Sequence, residues 1–406
     1  MKEGGKYILG ALGIPKKTGD SYQETRYRLG DKLSQPTPLF MRALVEFFPD
    51  YHPVFLVTPK AEEAGWVLVE EIFGYSPEKI RVPDGRSENE LWELIKEVLG
   101  EVKPNTQLIL DITHGFRSMP LLTLQAGLLL KEMQTAKITG VYYGAFEARS
   151  AEATPVFDLS PLLDLNDWTQ ALAILARLGK AGPLTERLDA VAVPVFKKER
   201  SLPRQPAGLR RLSETLKALN DALHTLRPQE VFENAKKLAE LLPQAENELE
   251  FFPELRALVP YLQPSFNRLA TLAPTQPGAF SGIAGLETLA RMIRFYLDTE
   301  AYVKAITISR EALVSFVLLE EGNDHTAQDA RESAEKKLNQ WTREGLAPKE
   351  LHPVVDIWRD LRDLRNDVNH AGFRAHPRRA KTLAREARKL GEATARLILE
   401  RLAKSA

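Results

Sequence analysis

The first 165 residues alternate short apolar runs with amphipathic stretches, and this alternation limits the possible folds more than any other feature. The apolar runs are continuous, as is typical of strands buried on both faces of a parallel sheet. They predict strands at residues 7–14, 54–58, 80–83, 108–113, 138–146 and, more weakly, 156–159. Amphipathic stretches lie between them at residues 37–48, 60–73, 87–99 and 118–133. This order predicts a doubly wound α/β domain with a parallel sheet.

The pattern changes past residue 165, where strand-like runs disappear and Leu, Ala, Arg, Lys and Glu recur at helical spacing. Of the 26 prolines, 11 lie between Pro183 and Pro277, which predicts short helices joined by turns in the middle of the chain. We therefore predict an α/β domain over residues 1–175, a proline-punctuated helical connecting region over 176–281 and an all-helical domain over 282–406.

The composition excludes several classes of protein. With no cysteine, the chain has no disulfide scaffold, thiolate zinc site, iron–sulfur cluster or cysteine nucleophile. Its 55 basic and 55 acidic residues give a formal net charge of zero, which argues against a protein that coats nucleic acid but not against a local basic site. No apolar run reaches the roughly 18 residues of a membrane span, so we expect a cytoplasmic protein with no membrane partner.

Two loops at the ends of predicted strands carry unusual chemistry. In an open α/β sheet, ligands bind outside the carboxyl ends of the strands, where the strand order reverses. The first loop follows Gly10-Ala-Leu-Gly13, whose small residues allow close approach to the backbone. The second loop reads Asp111-Ile-Thr-His-Gly-Phe-Arg117 and places its side chains beside free backbone N–H groups at a helix N-terminus. The residues that could bind a phosphate or a nucleobase edge are Thr113, His114, Gly115 and Arg117.

A structural role is the alternative for the second loop, because Thr and Gly can cap the helix and Asp111 can act as a local acceptor. The sequence has neither G-x-G-x-x-G nor G-x-x-x-x-G-K-[ST], and it therefore disfavours a dinucleotide-dependent dehydrogenase and a P-loop NTPase. The loop chemistry alone leaves a ligand site and a helix cap both open.

A second candidate site lies at residues 357–371, which read IWRDLRDLRNDVNHA. The apolar residues are spaced by four, three and four positions and form one stripe of a helix, made of Ile357, Leu361, Leu364 and Val368. On a helical wheel, Arg365, Asn366 and His370 lie opposite this stripe, toward solvent or another subunit.

These three side chains suit metal-independent RNA cleavage. An imidazole can move a proton to or from the ribose 2′-OH or the leaving oxygen, and a guanidinium can stabilise charge on the phosphate oxygens. An amide can orient either partner. A solvated charged face is the structural alternative, although Asn366 and Asn369 are poor helix formers for such a face.

Charged residues surround this motif. Asp360, Asp363 and Asp367 could suggest a metal site, but they alternate with arginines, so we expect charge pairing and no metal. Residues 374–406 hold ten Lys or Arg against three Glu, a local balance of +7. This segment is either a solvated amphipathic helix or a surface that attracts RNA phosphates, and the two roles are compatible.

The N-terminal motif resembles a known family. Asp111-Ile-Thr-His-Gly115 matches the D-x-T-H-G signature of CRISPR-associated proteins, and further similarity lies at Tyr27-Arg-Leu-Gly30, Val82-Pro-Asp-Gly85, Tyr143-Gly144 and Phe157-Asp-Leu159. Roughly residues 5–165 therefore look like a CARF domain, the Rossmann-like sensor of cyclic oligoadenylate in type III CRISPR immunity. The resemblance implicates Leu12, Gly13, Thr113, His114 and Gly115 in ligand binding; Arg117 is added from its charge and position.

The C-terminal motif is similar to the R-(polar)-x-x-x-H signature of HEPN ribonucleases, carried here by Arg365-Asn-Asp-Val-Asn-His370. That resemblance implies that two copies of the helix meet in a homodimer and form one composite catalytic site from Arg365, Asn366 and His370. Together the two resemblances imply a ribonuclease that needs no cofactor, is activated by cyclic oligoadenylate and cleaves single-stranded RNA to 2′,3′-cyclic phosphate and 5′-OH ends in antiviral defence.

Two alternatives to this function remain open. The chain could be a non-catalytic regulator whose C-terminal helices only dimerise or recruit a partner. The N-terminal domain could also degrade its own cyclic ligand and act as a timer.

Overall fold

The computed structural model describes residues 1–14, 23–115, 118–198, 207–249, 258–373 and 375–404. The chain forms two compact units, Met1–Asn166 and Asp167–Ala406. A sheet with helices on both faces makes up the first unit and the second is helical, so the predicted class, α/β followed by all-α, is confirmed. The division into three segments at residues 175 and 281 stays a prediction.

The first unit is built on one eight-stranded sheet in the order β3-β2-β8-β7-β6-β1-β4-β5. Neighbouring strands from β5 to β7 are parallel, whereas β7 with β8 and β2 with β3 are antiparallel. The strands are β1 (Lys6–Ala11), β2 (Tyr27–Leu29), β3 (Lys32–Leu33), β4 (His52–Val57), β5 (Glu78–Arg81), β6 (Thr106–Asp111), β7 (Ala136–Gly144) and β8 (Thr154–Asp158).

Helices cover both faces of this sheet and bury one core on each. The helices are α1 (Phe40–Phe47), α2 (Pro59–Phe73), α3 (Glu88–Glu101) and α4 (Ser118–Glu132). On one face, Phe55 and Ile109 pack with residues of α1 and α2; on the other, Leu56 and Leu110 pack with residues of α3 and α4. Successive residues of one strand thus enter opposite cores, which explains why the strands read as continuous apolar runs.

The sequence did not predict the pair formed by β2 and β3. Both strands are short, and Gly30 in the connecting turn has a φ of +56°, so the pair lacks the long apolar run on which the strand predictions depend. These strands follow the loop that begins after Gly13, and residues 15–22 of that loop lie outside the described part of the chain.

Ten α-helices are described from Pro161 onward, and all but the first lie entirely within the second unit. They are α5 (Pro161–Leu178), α6 (Gly182–Lys198), α7 (Ala207–Thr225), α8 (Pro228–Leu249), α9 (Val259–Ala270), α10 (Ile283–Asp298), α11 (Tyr302–Glu320), α12 (Gln328–Glu344), α13 (His352–Asn369) and α14 (Ala380–Ala403). One continuous apolar cluster runs from Trp168 in α5 to Leu402 in α14, so the middle and C-terminal helices share a core. In the described part of the chain, no helix is long and apolar enough to cross a membrane.

The prediction of short helices in the proline-rich middle was wrong. Helices α7 and α8 have 19 and 22 residues, and α8 continues through Pro243. Several prolines occupy places that cost little, because Pro228 begins α8 and Pro260 lies in the first turn of α9, where the missing N–H has no partner inside the helix. Burial of Leu238 and Leu242 on either side of one turn of α8 outweighs the hydrogen bond that Pro243 removes.

Candidate functional site

The strand order reverses between β1 and β6, the two central parallel strands. From β1 the sheet continues to β4 and β5 on one side and to β6 and β7 on the other. Gly10 of β1 pairs with Asp111 of β6, so the loops that follow both strands leave the sheet at the same edge. The structure thereby brings Leu12 and Gly13 beside Thr113, His114 and Gly115, at the type of crevice where α/β sheets bind ligands.

Three glycines allow these loops to approach each other. A Cβ on Gly10 would lie 2.6 Å from the Cβ of Asp111, and one on Gly13 would lie 3.4 Å from the Cβ of His114. Gly115 has a φ of +107°, and a Cβ there would lie 3.0 Å from that of Met119 and 3.1 Å from that of Ala11. The crevice is therefore closed to side chains at Gly10 and Gly115, and the backbone itself lines it.

Hydrogen bonds fix the start of the second loop. Asp111 Oδ1 accepts from the backbone N–H of Thr113 at 2.9 Å, and the Thr113 hydroxyl accepts from the backbone N–H of Gly144 at 2.8 Å. The structural role that the sequence left open for Asp111 is therefore present. The Thr113 hydroxyl thereby ties β6 to β7.

Asp111 is buried beside the half-buried His114, and the hydrogen bonding of both side chains is incomplete. Asp111 is 2% exposed, and its Oδ2 and the Nε2 of His114 have no partner among the described residues. Burial raises the pKa of the Asp111 carboxyl, although His114 and the Thr113 bonds oppose that shift. Burial also lowers the pKa of His114, against the attraction of Asp111 and Glu147. The imidazole is therefore neutral near pH 7 and can offer one donor and one acceptor.

A cavity of about 160 Å³ lies at this crevice and includes residues that the sequence analysis missed. It is lined by Leu12, Ile14, Thr58, Gly115 and Met119. Thr58 directly follows β4 and caps α2 by accepting from the Ala61 N–H at 3.3 Å. Because β4 is a third parallel strand that ends at this edge, the position of Thr58 after it could have identified this residue from the sequence. Arg117, predicted to bind the ligand, lies outside the described residues.

The second candidate site lies at the C-terminal end of α13. Leu361 and Leu364 of the predicted stripe are buried, and Ile357 and Val368 pack partly buried against the same core. Val354 and Trp358, one or two turns earlier on that face, were missed and are also buried. The stripe therefore holds the helix against the rest of the unit.

The three proposed catalytic residues face away from that core. Asn366 and His370 are exposed and Arg365 is half-buried. The helix ends at Asn369, and His370 is its C-cap with a φ of −90° and a ψ of 8°. Because this conformation is close to helical, His370 stays on the same side as Asn366, whose carbonyl accepts from the His370 N–H at 3.1 Å.

The turn after His370 is held by Asp367. This aspartate is 2% exposed, and its Oδ2 accepts from the backbone N–H of Arg378 at 2.8 Å. The Arg378 guanidinium in turn donates to Glu386 of α14 at 2.7 Å. Within the turn, Ala371 and Gly372 have φ values of 49° and 78°, which reverse the chain direction.

All three aspartates have an arginine partner, but the partner of Asp367 is Arg378, at 4.0 Å, and not a neighbouring arginine of α13. Arg359 pairs with Asp360 at 3.2 Å and Arg362 with Asp363 at 3.8 Å, all on exposed positions. Asp367 lies in the core-facing row, where its Oδ2 accepts from Arg378, eleven positions later in the chain, and its Oδ1 has no hydrogen-bond partner among the described residues. Helical spacing does not reveal this contact. Among the described residues, no group of three or more His, Asp or Glu could hold a metal ion.

The basic segment forms helix α14, and its cations divide into two groups. Arg378 and Arg401 pair with Glu386 and Glu320. Arg385, Lys389 and Arg396 are exposed, form no ion pair with any described residue, and line a groove of about 380 Å³ together with Arg388. Positions 385, 389 and 396 share one helix face, so α14 presents a basic stripe.

We predict that the His114 imidazole titrates below 6.5, because burial disfavours its charged form more than Asp111 favours it. Asp111→Asn removes the attracting carboxylate and should lower this pKa further, whereas Asp50→Asn, on an exposed residue paired with Lys6, should leave it unchanged. Histidine ring resonances followed by NMR against pH, assigned with His114→Gln, measure both shifts. A titration at or above 6.5 in the unsubstituted protein contradicts this electrostatic balance.

We predict that Asp367→Ala lowers the free energy of unfolding by roughly 1–3 kcal/mol, because it leaves the Arg378 N–H without its partner. Asp360→Ala is the matched control, since its exposed ion pair with Arg359 contributes about 0–1 kcal/mol. Urea unfolding of both variants gives the comparison. Equal effects of the two substitutions would show that Asp367 does not hold the turn.

Comparison with known proteins gives the N-terminal site its context. Residues 57–147 match the family model described as the CARF domain of the CRISPR system endoribonuclease Csx1, and this range contains Asp111 to Gly115. The CRISPR-associated protein MJ1674 of Methanocaldococcus jannaschii is 27% identical over 148 residues, which are 36% of this chain and 23% of that protein. The chain thus aligns with less than a quarter of the length of this curated relative.

A solved structure was also matched. It is Enterococcus italicus Csm6 bound to cyclic hexa-2′-fluoro-hexa-dAMP, with a TM-score of 0.42 and 13% identity over 98% of this chain and 95% of that one. A TM-score of 0.42 is too low to establish a shared fold. Residues 57–147 thus resemble a CARF domain, and part of the chain is similar to a CRISPR-associated protein.

Proposed function

We propose that this protein is a ribonuclease of CRISPR defence whose N-terminal CARF domain senses cyclic oligoadenylate and whose C-terminal helices cleave single-stranded RNA. The observation that carries the proposal is the position of Arg365, Asn366 and His370 on one side of α13, with the last two exposed and Arg365 half-buried, in a chain whose residues 57–147 match a CARF domain. No buried contact accounts for the exposed groups, and their chemistry is that of phosphodiester cleavage.

The crevice between β1 and β6 is the proposed ligand site. Backbone groups of Gly13 and Gly115 can approach a phosphate or base closely, since no side chain stands at either position. The neutral His114 imidazole adds a hydrogen-bonding group whose Nε2 has no partner among the described residues, and the Thr113 hydroxyl, which accepts from the Gly144 N–H, is a second polar group of this loop. Leu12 lines the cavity beside Gly115 and offers an apolar contact.

His370, Arg365 and Asn366 are the proposed catalytic residues. The ribose 2′ oxygen attacks the adjacent phosphorus as its proton leaves, and the bond to the 5′ oxygen breaks as that oxygen is protonated. This exchange yields a 2′,3′-cyclic phosphate and a 5′-OH end. The His370 imidazole takes part in one of the proton transfers, the Arg365 guanidinium stabilises the charge on the non-bridging oxygens, and the Asn366 amide orients the reacting groups.

A homodimer would complete this site. One copy supplies a single imidazole, whereas the reaction needs one group that removes a proton and one that delivers it. Since the motif is exposed on α13, a second copy related by a two-fold axis can place its own His370 opposite. The scheme requires no metal ion.

The basic stripe of α14 is the proposed approach for RNA. Arg385, Lys389 and Arg396 carry charges that no described residue neutralises, and helix α14 packs beside α13. Phosphates drawn to these side chains bring the backbone of the substrate toward the end of α13. The helices over residues 176–281, which share the core of α10 to α14, would transmit the effect of the ligand.

We predict that His370→Ala lowers the rate of RNA cleavage by about 10²–10⁴-fold, because it removes a proton-transfer group. His376→Ala, at an exposed histidine six residues later, should cleave at the rate of the unsubstituted protein. Labelled single-stranded RNA, incubated in chelator with and without cyclic tetra- and hexa-adenylate, measures the rates and the ends. Ligand-dependent cleavage that survives His370→Ala contradicts the catalytic assignment and leaves a regulator as the better account.

We predict that Thr113→Ala combined with His114→Ala weakens binding of cyclic oligoadenylate by roughly 10-fold or more, through the loss of two hydrogen-bonding groups. Thr113→Ser is the control, since it keeps the hydroxyl that accepts from the Gly144 N–H. Calorimetric titration measures affinity, and circular dichroism verifies the fold. If the folded double variant binds cyclic oligoadenylate with unchanged affinity, the loop has only a structural role. Degradation of labelled ligand during incubation would instead support a domain that degrades its own ligand.

A further inference from the structure

An exposed aromatic side chain lies directly after the proposed catalytic helix. Phe373 is 90% exposed, and no large apolar side chain in the described part of the chain is more exposed. A phenylalanine stabilises a fold when it is buried, and Phe373 contributes none of that stabilisation. Its position three residues after His370 gives it a place at the proposed site.

The backbone of Phe373 is fixed relative to His370. Its N–H donates to the His370 carbonyl at 2.8 Å, a turn that keeps the two Cα atoms within about 7 Å of each other. The Gly372 N–H donates to the Asp367 carbonyl at 3.1 Å, and the Asp367 carboxylate holds the Arg378 N–H. The ring is therefore presented to solvent from a turn tied at both ends.

The charges near this ring indicate the class of its partner. Arg379 and Lys381 are exposed close by in the chain, and no described residue forms an ion pair with either. An exposed aromatic ring that is followed within eight residues by unpaired cations matches single-stranded nucleic acid, in which a flat base and a phosphate lie within one nucleotide. An apolar protein surface would leave these cations without partners.

We propose that Phe373 is a base-stacking subsite that seats a nucleobase of the RNA next to the phosphate attacked at His370. This inference rests on the proposed nuclease function and specifies how substrate is held. Every base presents a flat aromatic face, so such a subsite accepts all four bases and fixes the position of the strand more than its sequence. Phe373 is thereby a substrate-positioning residue.

Binding of single-stranded RNA tests the subsite independently of cleavage. In a His370→Ala background, fluorescence anisotropy should show that Phe373→Ala raises the Kd by roughly 10-fold, as expected for the loss of one stacked base. Phe373→Trp should restore affinity because it stacks equally well. Leu346→Ala, at a side chain that is 72% exposed in the same unit, should bind like the parent protein.

An RNA with an abasic site at the stacked position completes the test. The parent protein should lose about the same roughly 10-fold in affinity for this RNA, whereas Phe373→Ala should bind intact and abasic RNA equally. Equal effects of the abasic site on both proteins overturn the subsite. A shift of the monomer–dimer equilibrium by Phe373→Ala in sedimentation velocity, without a change in RNA affinity at fixed dimer concentration, assigns the ring to a second copy of the chain and also overturns it. Absence of cleavage in the unsubstituted protein defeats the nuclease function instead.

Discussion

The pairing of β1 with β6 is the constraint on which the N-terminal unit depends. Two parallel strands far apart in the sequence lie side by side with Gly10 opposite Asp111, and helices close over both faces of the sheet. The middle of each strand is therefore apolar, and the buried carboxylate of Asp111 lies at the strand end. The same pairing sets the loops after both strands together and leaves room only for glycine at positions 10 and 115.

A different constraint governs the C-terminal site. The apolar row of α13, from Val354 to Leu364, is buried, and that burial turns Asn366 and His370 outward. Asp367, beside them in the sequence but inside the unit, holds the turn that follows. Buried neighbours on the same helix thus determine the positions of the exposed groups. The proposed catalytic site needs no pocket within one copy of the chain, because a second copy can supply the other half of the site.

The sequence was sufficient wherever a repeating pattern decided the structure. Continuous apolar runs predicted the central strands, and spacing by three and four residues predicted the buried face of α13. The sequence did not predict features that depend on a single long-range contact. Examples are the hydrogen bonds from the Gly144 N–H to Thr113 and from the Arg378 N–H to Asp367, which no repeating sequence pattern indicates. The sequence failed also in α8, where core packing carries the helix through Pro243. Both candidate sites were found through motifs, and Thr58 was missed because it belongs to none.

We propose that binding of cyclic oligoadenylate in the crevice between β1 and β6 controls RNA cleavage at the end of α13. The most direct measurement follows both events in one set of samples: anisotropy of labelled cyclic oligoadenylate gives occupancy, and single-turnover cleavage of RNA gives rate. We expect the cleavage rate to rise with ligand occupancy, so that the curves of rate and of occupancy against ligand concentration share one midpoint. Cleavage that is already complete without ligand, or that stays unchanged at saturating occupancy, would contradict it.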